Sequence, residues 1–66
     1  MSRKHKMLKN FSEICEYDEE YIARRTGLDI DTVDRLLWFP DATPITEDIA
    51  KKLCKLFPFD EKYWMS

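Results

Sequence analysis

The stretch DEEYIARRTGLDIDTVDRLLWF, residues 18–39, decides the fold, because it has the pattern of two helices separated by a tight turn. Asp18 offers an N-cap oxygen to the first helix, and acidic residues follow in the first turn, where the helix dipole favours them. Gly27 ends that helix, since glycine takes the left-handed conformation after a helix without strain. Asp29 is the predicted cap of the next helix, which must end before Pro40.

Six apolar or small residues in this stretch have the spacing of a helix-turn-helix unit. A small side chain at Ala23 lets the two helices approach each other, and Gly27 follows four positions later to make the turn. Apolar residues then hold the second helix at a fixed angle, with Val33, Leu36 and Leu37 on its inward side. The six positions are Ile22, Ala23, Gly27, Leu28, Val33 and Leu36.

Apolar periodicity on either side of this unit predicts further short helices. The predicted segments are a helix from Lys6 to Glu16, a helix that begins after Thr46 and is stopped by Pro58, and a last turn capped by Asp60. The inward-facing residues of these segments are Leu8, Phe11, Ile14, Cys15, Ile49, Leu53, Leu56, Tyr63 and Trp64.

Length and composition are those of one small all-α domain. The chain has 66 residues, 8.0 kDa and a single glycine, whereas a β-rich fold needs frequent corners with positive φ. We therefore expect a compact domain of four to five helices. No apolar run approaches the roughly 20 residues of a membrane span, and no secretory signal is evident, so the expected location is the cytoplasm without membrane association.

Charge is distributed unevenly along the chain. Residues 1–9 contain four basic residues and no acidic one, whereas residues 10–66 contain seven basic and thirteen acidic residues. We interpret residues 1–9 as a basic N-terminal arm and residues 10–66 as the helix-turn-helix domain. Because the body is acidic, binding to nucleic acid would depend on this arm or on local geometry.

Residues 17–64 resemble the Cro/CI-type helix-turn-helix proteins, and most of all the HigA-type antitoxins and their phage-borne relatives. The segments that carry the resemblance are ARRTGL, TV.RLL, PIT.DIA.KL and the closing YW. The resemblance implies an all-α DNA-binding domain that acts as a dimer. In that family the second helix of each motif enters the major groove of an operator, usually to repress the protein's own promoter.

The resemblance also assigns positions in this chain to DNA contacts. The base-reading positions fall on Ile30, Asp31 and Arg35, with Asp34 and Trp38 beside them. The phosphate-contacting start of the first motif helix falls on Asp18 and Glu19. Backbone anchoring would then come from basic residues outside the motif, namely Arg3, Lys4, Lys6, Lys9, Arg24 and Arg25.

Several of these positions depart from the family pattern and favour a second function. Carboxylates near phosphates oppose the counterion release that drives binding to DNA. Trp38 and Phe39 either tuck into the core or form an apolar contact patch. Arg35 either reads a guanine or pairs with Asp31 along the helix. The alternative is therefore an acidic surface that binds a protein partner, by imitating DNA or by neutralising a toxin.

Nothing in the sequence indicates catalysis, a metal or a cofactor. The one histidine, His5, lies in the basic segment and is expected to be solvated, and no nucleophile has a base at a recognisable spacing. Cys15 and Cys54 lack the paired spacing of a zinc site and are interpreted as reduced fillers of the core. We expect a binding protein, possessing no enzymatic activity, whose partner is operator DNA or another protein.

Overall fold

The computed structural model describes residues 3–65, and all regular structure in that range is helical. This confirms the expected all-α class. The elements are α1 (Arg3–Ile14), α2 (Glu19–Thr26), α3 (Ile30–Trp38), a 3-10 turn (Pro40–Ala42), α4 (Glu47–Leu53) and α5 (Glu61–Met65). The longest, α1, has 12 residues, and no helix in the described range is long and apolar enough to cross a membrane.

The turn between α2 and α3 has the predicted geometry. Gly27 adopts φ 85°, in the left-handed region, and its N–H donates to the carbonyl oxygen of Ala23 at 2.9 Å. The buried Thr26 hydroxyl donates to the Ile22 carbonyl at 2.6 Å and accepts from the N–H of Leu28 at 3.3 Å. The N–H groups of Gly27 and Leu28 and the Thr26 hydroxyl are therefore hydrogen-bonded within the protein, which stabilises the turn.

The predicted caps agree with the structure except at one position. Asp18 accepts a hydrogen bond from the Tyr21 N–H at 2.7 Å, Thr46 accepts one from Ile49, and Asp60 accepts one from Tyr63. Asp29 occupies the N-cap position of α3, but its side chain makes no capping hydrogen bond. The carboxylate of Asp29 is therefore not used as the sequence predicted.

The helices pack around a single hydrophobic core of buried apolar residues. Trp64 is completely buried and makes edge-on contacts with Phe57 and Phe59 at centroid distances of 6.0 and 5.7 Å. The buried apolar residues are Leu8, Ile22, Leu28, Val33, Leu36, Leu37, Ile45, Ala50, Leu53, Phe57 and Trp64. Because α3 contributes three of these residues, its inward side is fixed and its remaining residues face outward.

Helix α1 differs from its prediction at both ends. It begins at Arg3 rather than Lys6, so the basic segment is helical throughout its described part. His5 is only 6 % exposed, and its Nε2–H donates to the Thr43 carbonyl at 2.7 Å, which corrects the expectation that it is solvated. The reason is that His5, Leu8 and Ser12 recur on one side of α1 and are all buried.

The end of α1 turns the expected inward residues toward solvent. Ile14 is 81 % exposed and Cys15 is exposed, so the interpretation of Cys15 as a core residue was wrong. The helix stops at Ile14, and Glu16 then adopts φ 58°, which redirects the chain. Cys54 does pack against the core, and both thiols are free.

Helix α4 is shorter than predicted. It ends at Leu53, well before Pro58, and turns follow. The turn after it brings the N–H of Phe57 to the carbonyl of Leu53 at 2.9 Å, and Phe57 is buried. The N–H groups of Lys55 and Leu56 donate to carbonyls three residues back, at 3.1 and 3.2 Å, so the regular helix ends at Leu53, before the proline is reached.

We predict opposite effects from substitutions at the two left-handed positions. Gly27→Ala should lower the free energy of unfolding by about 1–2 kcal/mol, because a Cβ is strained at positive φ, although no atom lies within 4 Å to clash with it. Glu16→Gly, the matched control, relieves such strain, so its free energy of unfolding should be unchanged or higher by up to about 1 kcal/mol. Urea unfolding followed by circular dichroism measures both variants. Equal free energies of unfolding for the two variants would contradict the assignment of left-handed backbone to these positions.

Candidate functional site

Helix α3 presents an outward side that combines charge and apolar surface. Asp31 and Arg35 are exposed, Asp34 is half-buried, and Ile30 is exposed although it is apolar. In the described range no ion pair joins Asp31 to Arg35, whereas the same spacing gives ion pairs on other helices, such as Glu20 with Arg24. The carboxylate of Asp31 and the guanidinium of Arg35 are therefore both available to a partner.

A large open hollow lies beside this side of α3. Its volume is about 410 Å³, and its lining residues are Asp31, Asp34, Arg35, Phe39, Ala42 and Thr43. Thr43 accepts the hydrogen bond of His5, so α1 supports one wall of the hollow. Four of the residues singled out in the sequence thus surround one surface depression.

Trp38 and Phe39 form an exposed aromatic pair at the end of α3. Trp38 is 54 % exposed and Phe39 is 61 % exposed, so of the two alternatives for these rings the structure favours the contact patch over the core. Lys9 of α1 places its Nζ 4.3 Å from the centroid of the Trp38 ring. This cation–π contact holds the indole in place on the surface.

A second, smaller hollow of about 80 Å³ lies where α1, α2 and α3 meet. It is lined by Lys9, Ser12, Glu13, Tyr17, Glu19, Leu37 and Trp38. Desolvation raises the pKa of Tyr17, and the neighbouring Cys15 and Tyr21 add to the effect. Sequence reasoning missed Ser12 and Tyr17 here, since neither residue belongs to a motif and only the helix packing brings them together.

The other predicted contact residues lie elsewhere. Arg3 and Lys6 are exposed and Lys4 is half-buried on α1, and none of the three lines either hollow. Asp18 is engaged as the cap of α2. Within residues 3–65, no group of three or more His, Cys, Asp or Glu residues is placed to hold a metal ion.

No protein-family model, curated protein or solved structure matches this chain. Support for a function therefore comes from the residues of the two hollows and from the sequence pattern of residues 18–39. Trp38 borders the smaller hollow, and Phe39, the next residue, borders the larger one. The aromatic pair is thus the part of the surface that connects them.

We predict that Trp38 accounts for the quenchable tryptophan fluorescence. Trp38 is half exposed and Trp64 is fully buried, so acrylamide should quench the first and hardly affect the second. In Trp38→Phe the remaining emission should be blue-shifted and quenched several-fold less, as measured by Stern–Volmer titration. Unchanged quenching in Trp38→Phe would contradict the exposure of this ring.

We predict that the two cysteines differ in reactivity. Burial raises the pKa of the Cys54 thiol, and the nearby Glu61 and Asp60 carboxylates raise it further, so its thiolate fraction at neutral pH is reduced. Cys15 is exposed. With a disulfide reagent at neutral pH, Cys15→Ser should react about tenfold more slowly than Cys54→Ser. The rate of Cys15→Ser should increase as the pH rises. Equal rates at neutral pH would refute this difference.

Proposed function

We propose that α2, the Gly27 turn and α3 form a helix-turn-helix unit of the Cro/CI type whose outward surface binds a protein with a basic surface. The order of elements and the left-handed Gly27 support the first part. The second part rests on one observation, the exposure of Trp38 and Phe39 beside the carboxylates of α3. The role proposed is binding in the cytoplasm, without catalysis.

Electrostatics on α3 oppose binding of this surface to nucleic acid. Asp31 falls on a position at which the family contacts bases, Asp34 lies beside these positions, and both carboxylates line the larger hollow. Each carboxylate brought close to phosphates adds repulsion and removes part of the counterion-release gain. A basic protein surface reverses the sign of these interactions, because the same carboxylates then attract lysine and arginine side chains and speed association.

The aromatic pair supplies the apolar part of such an interface. Exposed tryptophan and phenylalanine rings are enriched at the centres of protein interfaces, where they contribute most of the binding energy. Trp38 is 54 % exposed even with Lys9 beside it, so a large part of its ring is accessible to a partner. Aromatic residues surrounded by carboxylates are typical of a binding site for a basic, partly apolar protein segment.

Operator DNA is the second candidate partner, with the protein acting as a homodimeric, antitoxin-like or phage-type repressor. The observation that favours it is the exposed Arg35, which is free of an ion pair with Asp31 in the described range and lies at a base-reading position. A bidentate contact from arginine to guanine contributes about 1–3 kcal/mol of discrimination. Phosphate contacts would come from the exposed Arg3 and Lys6 and from Lys4 on α1.

Two probes distinguish the candidates. The first is a short basic amphipathic peptide of lysine and leucine, with its glutamate counterpart as the charge control, and the second is the DNA duplex upstream of the coding sequence. We expect the basic peptide alone to bind, measured by calorimetry. The double variant Trp38→Ala, Phe39→Ala should bind it about tenfold more weakly or worse.

Met65→Ala, which removes an exposed apolar side chain elsewhere, is the matched control and should bind the basic peptide normally. Sequence-specific retention of the duplex in a mobility-shift assay at low salt, lost in Arg35→Ala, would overturn the protein-binding proposal and establish the operator candidate. Equal binding of the basic and acidic peptides would also refute the proposal, because the carboxylates would then play no part.

A further inference from the structure

The smaller hollow between α1, α2 and α3 has walls suited to a cation. Tyr17 and Trp38 contribute aromatic rings, and Glu13 and Glu19 contribute carboxylates. The faces of aromatic rings attract ammonium and guanidinium groups, and carboxylates add direct charge complementarity. The carboxylates and ring faces would repel an anion, and an uncharged side chain would form no charge interaction with the carboxylates.

The chain already places one ammonium group against this wall. Lys9 lines the hollow, and its Nζ lies 4.3 Å from the centroid of the Trp38 ring. In the described part of the chain, no ion pair connects Lys9 to Glu13 or Glu19. The ring of Trp38 thus attracts an ammonium group, while the two carboxylates keep their capacity for another one.

A buried hydroxyl in the wall lacks a hydrogen bond. Ser12 is only 3 % exposed, and its Oγ has no hydrogen-bond partner in the structure. An unsatisfied buried hydroxyl is unfavourable. Because Ser12 lines the hollow, rotation of its side chain would let the hydroxyl accept a hydrogen bond from a ligand N–H. The hollow, at about 80 Å³, is larger than the roughly 10–15 Å³ that a single water molecule requires.

We propose that this hollow binds the ammonium end of one lysine side chain from the basic partner, next to Trp38 and between the carboxylates of Glu13 and Glu19. The inference rests on the proposed function, because the lysine belongs to the protein partner. A lysine is favoured over an arginine, since its compact ammonium suits a small hollow and the guanidinium is a larger planar fork. Lys9 acts as an internal competitor that the incoming lysine displaces from Trp38.

The test uses blocked lysine, with both its amino and carboxyl groups capped, as the probe and blocked norleucine as the uncharged control. Titration is followed by the Trp38 indole N–H signal in two-dimensional NMR, with the buried Trp64 signal as an internal reference. We expect blocked lysine to shift the Trp38 signal saturably and blocked norleucine to leave it unchanged. Equal shifts from both probes would overturn the proposal, because the site would then be only apolar.

Charge variants sharpen this test without changes to the core. The double variant Glu13→Gln, Glu19→Gln should bind blocked lysine about threefold more weakly or worse, as expected for the loss of two partly solvated charge contacts. Lys9→Gln should bind blocked lysine about two- to fivefold more tightly, because the competing cation–π contact is lost. Unchanged affinity in both variants would overturn the assignment of this hollow.

Failure of this inference is distinguishable from failure of the proposed function. Asp31, Asp34 and Phe39 line the larger hollow and take no part in the smaller one. If the basic amphipathic peptide binds the Glu13→Gln, Glu19→Gln variant as tightly as the unchanged protein, the lysine site is wrong while the protein-binding function stands. If that peptide does not bind the unchanged protein at all, the proposed function itself fails.

Discussion

The left-handed backbone of Gly27 determines where α3 begins relative to α2, and the surface discussed above depends on that turn. Its N–H donates to the Ala23 carbonyl, and the buried Thr26 hydroxyl bonds both sides of the turn. A residue with a Cβ is strained in this conformation, so glycine is the residue that forms this turn at the lowest cost. Once the turn is set, Val33, Leu36 and Leu37 enter the core and the acidic and aromatic residues of α3 face outward.

The outward surface of α3 combines carboxylates with exposed aromatic rings, and its carboxylates interact oppositely with nucleic acid and with a basic protein. Carboxylates on α3 repel phosphates and attract lysine, whereas the aromatic pair contributes apolar area in either case. Trp38 contacts Lys9 and borders the smaller hollow, while Phe39 borders the larger one. The aromatic pair therefore lies between two hollows that both have acidic side chains in their walls. The negative charge of these side chains favours a basic partner over a polyanion.

The sequence predicts the helical class, the Gly27 turn and most of the caps, because each depends on residues close together in the chain. It does not predict that His5 is buried, since the hydrogen-bond partner of the imidazole, Thr43, lies 38 positions away in the chain. It also assigns Cys15 to the core, because periodicity cannot show that Glu16 will redirect the chain. The smaller hollow is missed for the same reason: Ser12, Tyr17 and Leu37 meet only when three helices pack.

The shortness of the helices has a consequence for how quickly any partner is captured. Helices α2, α3 and α4 have 8, 9 and 7 residues, below the roughly 12–15 at which a helix persists alone in water, so each exists only as part of the assembled core. We therefore expect the α3 surface to form together with the core and not on its own. A partner of the proposed kind would then meet a preformed surface, and its association rate would depend on diffusion and long-range charge attraction.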